Sequence, residues 1–286
     1  SVNVSDGVFW SNKSFCFSVF KPLSHWLYRR EIVIDHTLVD DDLVDFPVLV
    51  EFLGDGNLAE FARDDFGDVL FVGDDVNWSL GSASDRFSHE IEYGEGGVGD
   101  LTVWVKVPFV SSSVDTVFYM YYGNPTVSDL QDRSGVWDSD FVMVQHLNET
   151  GGLHVDSTVY GFDGVALNGT VQNAVGFIDG ADEFDGVDDY VGVGDVGVSG
   201  DWSVSFWAKS DSSADPVIYP VGLSIVEHEA SNDEGAGIGM GGTWSDVSND
   251  FYVYDGNDTV ISDSVVHGGP SISLGTWYHV TAVQNK

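Results

Sequence analysis

The chain has almost no cysteine. Cys16 is the single thiol, so no intramolecular disulfide can form. It lies in the apolar run "FCFSVF", where a small buried hydrophobe is the plain reading and no neighbouring base suggests a nucleophile. Basic residues are scarce as well, with 10 Lys and Arg against 47 Asp and Glu. No basic stripe exists to neutralise phosphates, which excludes nucleic acid as a partner. Long apolar runs are missing, so no segment reads as a membrane span and no membrane insertion is expected. The opening "SVNVSDGVFWSNKSFCFSVF" lacks the basic leader and apolar stretch of a signal peptide; Ser1 in place of Met points to an initiator Met or a leader already removed. Phosphate loops, dinucleotide fingerprints and a Ser-His-Asp order are absent too. His89, His146, His154, His228, His267 and His279 are scattered, with no pair at zinc-ligand spacing on one element. "EHE" at 227–229 comes nearest and reads as a solvated loop.

What is present is acid, glycine and strand-forming side chains. The formal net charge is −37 over 286 residues, carried by 36 Asp and 11 Glu. The Asp are spread through both halves, in turns and on alternate strand positions. A coat of this kind repels itself in dilute buffer. In concentrated salt the Debye length falls to about 3 Å and the repulsion is screened. The composition therefore suits a protein of molar salt, from a halophile or from something that infects one. An acidic surface for cations or basic partners is the alternative, and the even spread of charge disfavours it.

Val, Tyr, Phe and Trp alternate with Gly, Asp and Ser breaks, and no helix-period stripe of useful length appears. The expected fold class is all-β, and the length suffices for two domains with their own cores. Residues 1–25, with Phe9, Trp10, Phe15, Phe17 and Phe20, read as an N-terminal arm for docking or assembly. Residues 26–136 read as a first β-sandwich. Its strands are "REIVID", "FPVLVEFL", "DVLFVGDD", "SHEIEY", "LTVWVKVPF" and "TVFYMYYGNP". In "LTVWVKVPF", Leu101, Val103, Val105 and Val107 share one face. Residues 137–286 form the second expected domain. There "ADEFDG" and "YVGVGD" read as partners across the turn "DGVDD". In "DWSVSFWAK", Trp202, Val204 and Phe206 lie on one face and Ser203, Ser205 and Trp207 on the other.

The blocks "WLYRREIVID", "DVLFVGDD", "HEIEY", "LTVWVKVPF" and "VFYMYYGNP" resemble an uncharacterised β-domain family of archaeal and bacterial surface proteins. Such domains typically precede a concanavalin A-like (laminin G-like) jelly roll. The blocks "NAVGFIDGADEFDGVDDYVGVGD", "WSVSFWAK" and "LGTWYHVTAVQNK" are similar to that neighbour. The resemblance implies two jelly-roll-like sandwiches in tandem. It also implies further strands after Lys286, so the second domain is incomplete as given and a longer polypeptide is expected.

Candidate sites follow. Asp185, Asp188 and Asp189 make an oxygen-rich turn that could hold a structural Ca²⁺, as related jelly rolls often do; plain turn chemistry is the alternative. Glu90, Glu92 and Glu95 imitate the paired carboxylates of laminarinase-type glycosidases on the concanavalin-like fold. The middle acid is Glu rather than Asp and the motif lies outside the jelly roll, so a solvated strand face is the preferred reading. The candidate ligand-binding aromatics are Trp207, Tyr252, Tyr254 and Trp244, the last in the Gly-rich loop "GAGIGMGGTWSD". Sequons start at Asn3, Asn12, Asn77, Asn148, Asn168 and Asn257, which points to a secreted or surface-displayed glycoprotein. The expectation is a non-enzymatic extracellular adhesion or structural protein with a glycan-binding domain. Its partners would be copies of itself, other subunits of a surface or virion assembly, and host surface glycans or S-layer material. A virion appendage (turret, spike or tail fibre) of a halophilic archaeal virus and a haloarchaeal cell-surface or filament protein both fit. A glycoside hydrolase using Glu90 and Glu95 is the remaining alternative.

Overall fold

The computed structural model describes residues 26–73, 86–185, 187–197, 201–210, 221–224, 234–243, 246–257, 265–268 and 273–284. Trp244, the arm at 1–25 and the sequons at Asn3, Asn12 and Asn77 lie outside the described residues. The fold is all-β, with two short α-helices among the described residues. The chain divides into two compact units. One comprises Ser1–Val144 with Ser157–Gly161, and the other Gln145–Asp156 with Phe162–Lys286.

The first unit is sandwich-like. One sheet holds β1 (Tyr28–Ile34), β7 (Thr116–Tyr122), β3 (Leu70–Val72) and β4 (Arg86–Phe87), in the order β1-β7-β3-β4. The other holds β2 (Leu43–Phe52), β6 (Asp100–Val110) and β5 (His89–Glu95), in the order β2-β6-β5. All pairings are antiparallel. The alternation expected for β6 holds: Leu101, Val103, Val105 and Val107 are buried and join Val50, Phe71, Phe118 and Met120 in one core. That inward row is what sets the register, since a slip by one residue would turn every valine outward.

Asp45 has φ +50° and stands between the pairs Val44–Phe109 and Phe46–Val107, whose register runs on unshifted. Helix α1 (Gly56–Phe61) is capped by Asp55, whose carboxylate accepts from the Asn57 and Leu58 amides at 3.0 Å. Arg30 pairs with the same carboxylate at 2.5 Å. Helix α2 (Arg133–Val136) is a single turn.

The second unit contains β8 (Leu153–His154), β9 (Gly164–Leu167), β10 (Val171–Val175), β11 (Gly180–Glu183) and β12 (Tyr190–Gly192). After them come β13 (Trp202–Lys209), β14 (Val221–Ser224), β15 (Glu234–Thr243), β16 (Asp246–Asn257), β17 (Val265–Gly268) and β18 (Trp277–Gln284). They form sheets β12-β9-β8, β10-β11, β13-β18 and β14-β15-β16-β17. The expected pairing of "ADEF" with "YVGVGD" does not form. β11 pairs with β10 and β12 pairs with β9, so the acidic loop carries the chain from one sheet to another. A strand's own sequence leaves its partner open, and here β11 takes β10 on its N-terminal side rather than β12. In β13 the expected faces hold: Trp202, Val204 and Phe206 pack on Val280 and Ala282, while Ser203 and Ser205 are exposed.

Candidate functional site

The ribbon β13–β18 presents one face with a distinct chemistry. Its register pairs Ser205 with Thr281, Trp207 with His279 and Lys209 with Trp277. Because Trp202, Val204 and Phe206 take the inner face, these residues share the outer one. The Trp207 side chain is 38% exposed and stacks on Phe177, with ring centroids 3.7 Å apart and planes 16° apart. Phe177 comes from the β10–β11 turn, which is closed by the Gly176 amide donating to the Asp179 carbonyl at 3.0 Å. The His279 ring lies 5.0 Å from Trp207, and the Lys209 ammonium lies 5.2 Å from the centre of the Trp277 ring. No carboxylate occupies the outer positions from Ser203 to Lys209 or from Trp277 to Val283. The face offers two indoles, an exposed phenyl ring and hydroxyl donors within one antiparallel pair.

Tyr252 and Tyr254 lie on β16, in a different sheet from Trp207. There they pair with Gly239 and His267, and with Gly237 and Val265.

The three glutamates of β5 are not a uniform solvated face. Glu90 is 1% exposed. It accepts from the Trp137 indole at 2.8 Å and from the Ser157 hydroxyl at 2.6 Å, and it pairs with the Arg133 guanidinium at 2.9 Å. Glu92 accepts from the Trp104 indole at 2.5 Å. It sits at a bulge, between the pairs Ile91–Val103 and Tyr93–Thr102. The two indoles so anchored touch each other, with centroids 5.3 Å apart. Glu95 is exposed and accepts from the Tyr93 hydroxyl at 3.0 Å. Glu90 is thus a buried carboxylate compensated by donors from α2, from Trp137 and from the returning segment Ser157–Gly161. The expectation of a solvated strand face fails at Glu90 and Glu92, because the segment around residues 131–141 folds over that face.

Asp185, Asp188 and Asp189 do bring one oxygen each within 4.8 Å of one another. The loop also bonds itself: Asp189 accepts from the Asp185 amide at 2.9 Å, and Asp185 from the Val187 amide at 2.8 Å. A second trio, Asp35, His36 and Asp115, meets the same geometry; Asp115 lies 79 residues beyond His36, out of reach of any motif. Asn168 occupies an exposed turn with φ +59°, its amide donating to the Asp188 carbonyl at 2.8 Å. The Asn148 amide donates to Asp179 at 3.0 Å, and Asn257 ends β16.

One cluster has no counterpart in the sequence reading. The His154 ring is fully buried, with Nδ1 2.9 Å from Glu149 Oε2 and Nε2 2.9 Å from Asp182 Oδ2. Glu149 also accepts from the Val155 amide at 2.8 Å. Burial works to raise the Glu149 carboxyl, yet the Val155 amide and His154 outweigh it and hold the group below its ordinary range. Asp182 moves the other way: burial lifts its carboxyl, against the pull of His154 and with repulsion from Glu149.

Residues 65–166 match DUF2341, a domain of unknown function. No curated protein and no solved structure matches the chain. The DUF2341 region holds the whole Glu90 cluster, including Trp104, Trp137 and Ser157, and it ends within β9. Glu149 and His154 fall inside it, whereas Asp182, the Trp207 ribbon and the acidic loop at 185–189 lie beyond it.

Proposed function

We propose that the chain is a non-enzymatic extracellular adhesion or structural protein that holds a glycan on the outer face of β13–β18. The observation that carries the reading is Trp207, an exposed ring braced by Phe177 and flanked by Ser205, Thr281 and His279. A stacked indole gives a sugar ring a flat apolar platform, and neighbouring hydroxyl and imidazole groups meet its hydroxyls. Bracing by Phe177 lowers the ordering cost on binding. The second unit is read as a concanavalin A-like jelly roll, with the Asp185–Asp188–Asp189 loop as its structural Ca²⁺ site. The net charge of −37 supports a high-salt setting. A turret, spike or tail fibre of a halophilic archaeal virus suits this set of properties, as does a haloarchaeal surface or filament protein. The enzymatic alternative is disfavoured because the Glu90 carboxylate is buried and engaged by Trp137, Ser157 and Arg133.

Affinity electrophoresis through gels cast with soluble polysaccharides, in concentrated salt, tests the reading. The native chain is retarded by at least one polysaccharide, and Trp207→Ala moves freely while keeping its circular dichroism spectrum. Equal mobility of the two proteins in every gel would remove the ribbon from the proposal.

A further inference from the structure

We infer that His154 and Asp182 form a binding site for one divalent transition-metal cation, with Glu149 orienting the imidazole from its far side. The first observation is an orphaned carboxylate. The Asp182 side chain is fully buried, and neither of its oxygens receives a hydrogen bond. His154 Nε2 approaches it at 2.9 Å without hydrogen-bond geometry. Buried carboxylates are almost always met by donors, and one without any points to a missing ion or proton.

The second observation is the far side of the ring. In the tautomer that donates Nδ1–H to Glu149 Oε2 at 2.9 Å, Nε2 carries a lone pair facing Asp182 and Gln172. A carboxylate behind the imidazole is the usual companion of a metal-bound histidine, since it fixes the tautomer and raises the basicity of the ligand. Gln172 completes the pocket: its amide lies 3.1 Å from Nε2 and 3.1 Å from the Gly152 carbonyl. As placed, the amide nitrogen donates to the Gly152 carbonyl and faces Nε2; a cation on Nε2 requires the amide to turn over and present its oxygen instead. The set is then one imidazole nitrogen with carboxylate and amide oxygens. Ligands around a tetrahedral Zn²⁺ stand about 3.3 Å apart, close to the spacings found. An imidazole ligand and so few oxygens favour Zn²⁺ or Mn²⁺ over Ca²⁺, which takes six to eight oxygens. The charges that bear on Asp182 are those of His154 and Glu149, so a cation between Asp182 and Nε2 offsets the burial of both carboxylates.

The full chain, stripped with a chelator, is titrated with ZnCl₂, MnCl₂ and CaCl₂ separately, by calorimetry and by thermal melting. One equivalent of Zn²⁺ or Mn²⁺ binds and raises the melting temperature. His154→Gln and Asp182→Asn abolish that step, and Glu149→Gln weakens it about 10–100-fold. His36→Gln and Asp185→Asn leave it intact, which separates this site from the two exposed trios. X-ray absorption of the Zn²⁺ form shows nitrogen and oxygen neighbours without sulfur, a readout that stands even if the variants fail to fold. Absence of a stoichiometric step in the native chain overturns the inference, as does binding that survives Asp182→Asn. A carboxyl carbon shift marking Asp182 as protonated in metal-saturated solution overturns it as well.

Discussion

Trp137 donates its indole N–H to the Glu90 carboxylate across 2.8 Å, and both side chains are buried. Glu90 also receives Ser157 and Arg133, so three segments distant in sequence close on one carboxylate. Removing one partner of a buried charged network leaves the others without compensation, at a cost of about 3–5 kcal/mol. Glu90→Ala is expected to lose stability of that order, measured by urea unfolding with tryptophan fluorescence in concentrated salt. Glu90→Gln keeps an acceptor oxygen and is expected to lose less. Equal stability of Glu90→Ala and the native chain would show that the carboxylate does not hold the returning segment.

His89 gives a pH signature. Its ring is 1% exposed against the edge of Phe71, and Nδ1 has no hydrogen-bond partner. Burial lowers its pKa to about 4 from 6.5, against the opposing pull of the Phe87 backbone, Asp129 and Asp132. The folded state therefore prefers the neutral ring, while the unfolded chain takes up a proton below about pH 6.5. The contribution is fully present above that value and is lost as pH falls toward about 4, where the folded ring protonates too. The interval corresponds to about 3 kcal/mol. Urea midpoints measured across the window are expected to fall steadily for the native chain. His89→Leu, which has no proton to gain, is expected to flatten that slope, and an unchanged slope would assign the pH dependence to other groups.

The contrast between Leu101 and Glu90 shows what the sequence can carry. Alternation along β6 and β13 was legible because each strand has one buried face and its own residues encode it. Glu90 was read as solvated because its cover comes from Arg133, Trp137 and Ser157, which no local pattern links to β5. The partners of β11 and β12 were misassigned for a related reason: the strands are short, and their pairing is decided by β9 and β10 upstream. The Trp207 face was foreseen as half of an amphipathic strand, but its brace, Phe177, lies 30 residues earlier in a turn. His154, Gln172 and Asp182 stand on three strands, so their meeting is a product of topology alone.

Asp68 anchors the end of β7. It is fully buried and accepts from the Arg63, Gly123 and Asn124 amides at 3.0, 2.9 and 3.0 Å. Gly123 has φ +83°, and a Cβ there would come within 2.7 Å of the Tyr28 ring, so the turn has little freedom to seek other acceptors. Asp68→Ala strands three backbone donors and is expected to cost about 3 kcal/mol or more. Asp68→Asn retains one acceptor oxygen and is expected to fall between the two. The comparison is made by urea titration at fixed salt, and a loss below about 0.5 kcal/mol for the alanine variant would contradict the anchoring role.

Salt dependence follows from the carboxylates that remain at the surface. With 47 acidic and 10 basic residues, most exposed charges face like neighbours, and the described ion pairs Arg30–Asp55, Arg63–Asp65 and Arg133–Glu90 engage three of the five arginines. Repulsion between exposed carboxylates weakens as the screening length shrinks from about 10 Å at 0.1 M to about 3 Å at 1 M. Folded stability is therefore expected to rise steeply over that range and to level off above it, where KCl and NaCl act alike because screening depends on ionic strength. The His89 contribution, being buried, is expected to persist at every salt concentration, so the pH slope and the salt slope separate in a two-way titration. Thermal melting in a KCl series provides the measurement. A melting temperature that is equally high in dilute buffer would mean that the acidic coat does not destabilise the compact state, and the high-salt setting would lose its physical basis.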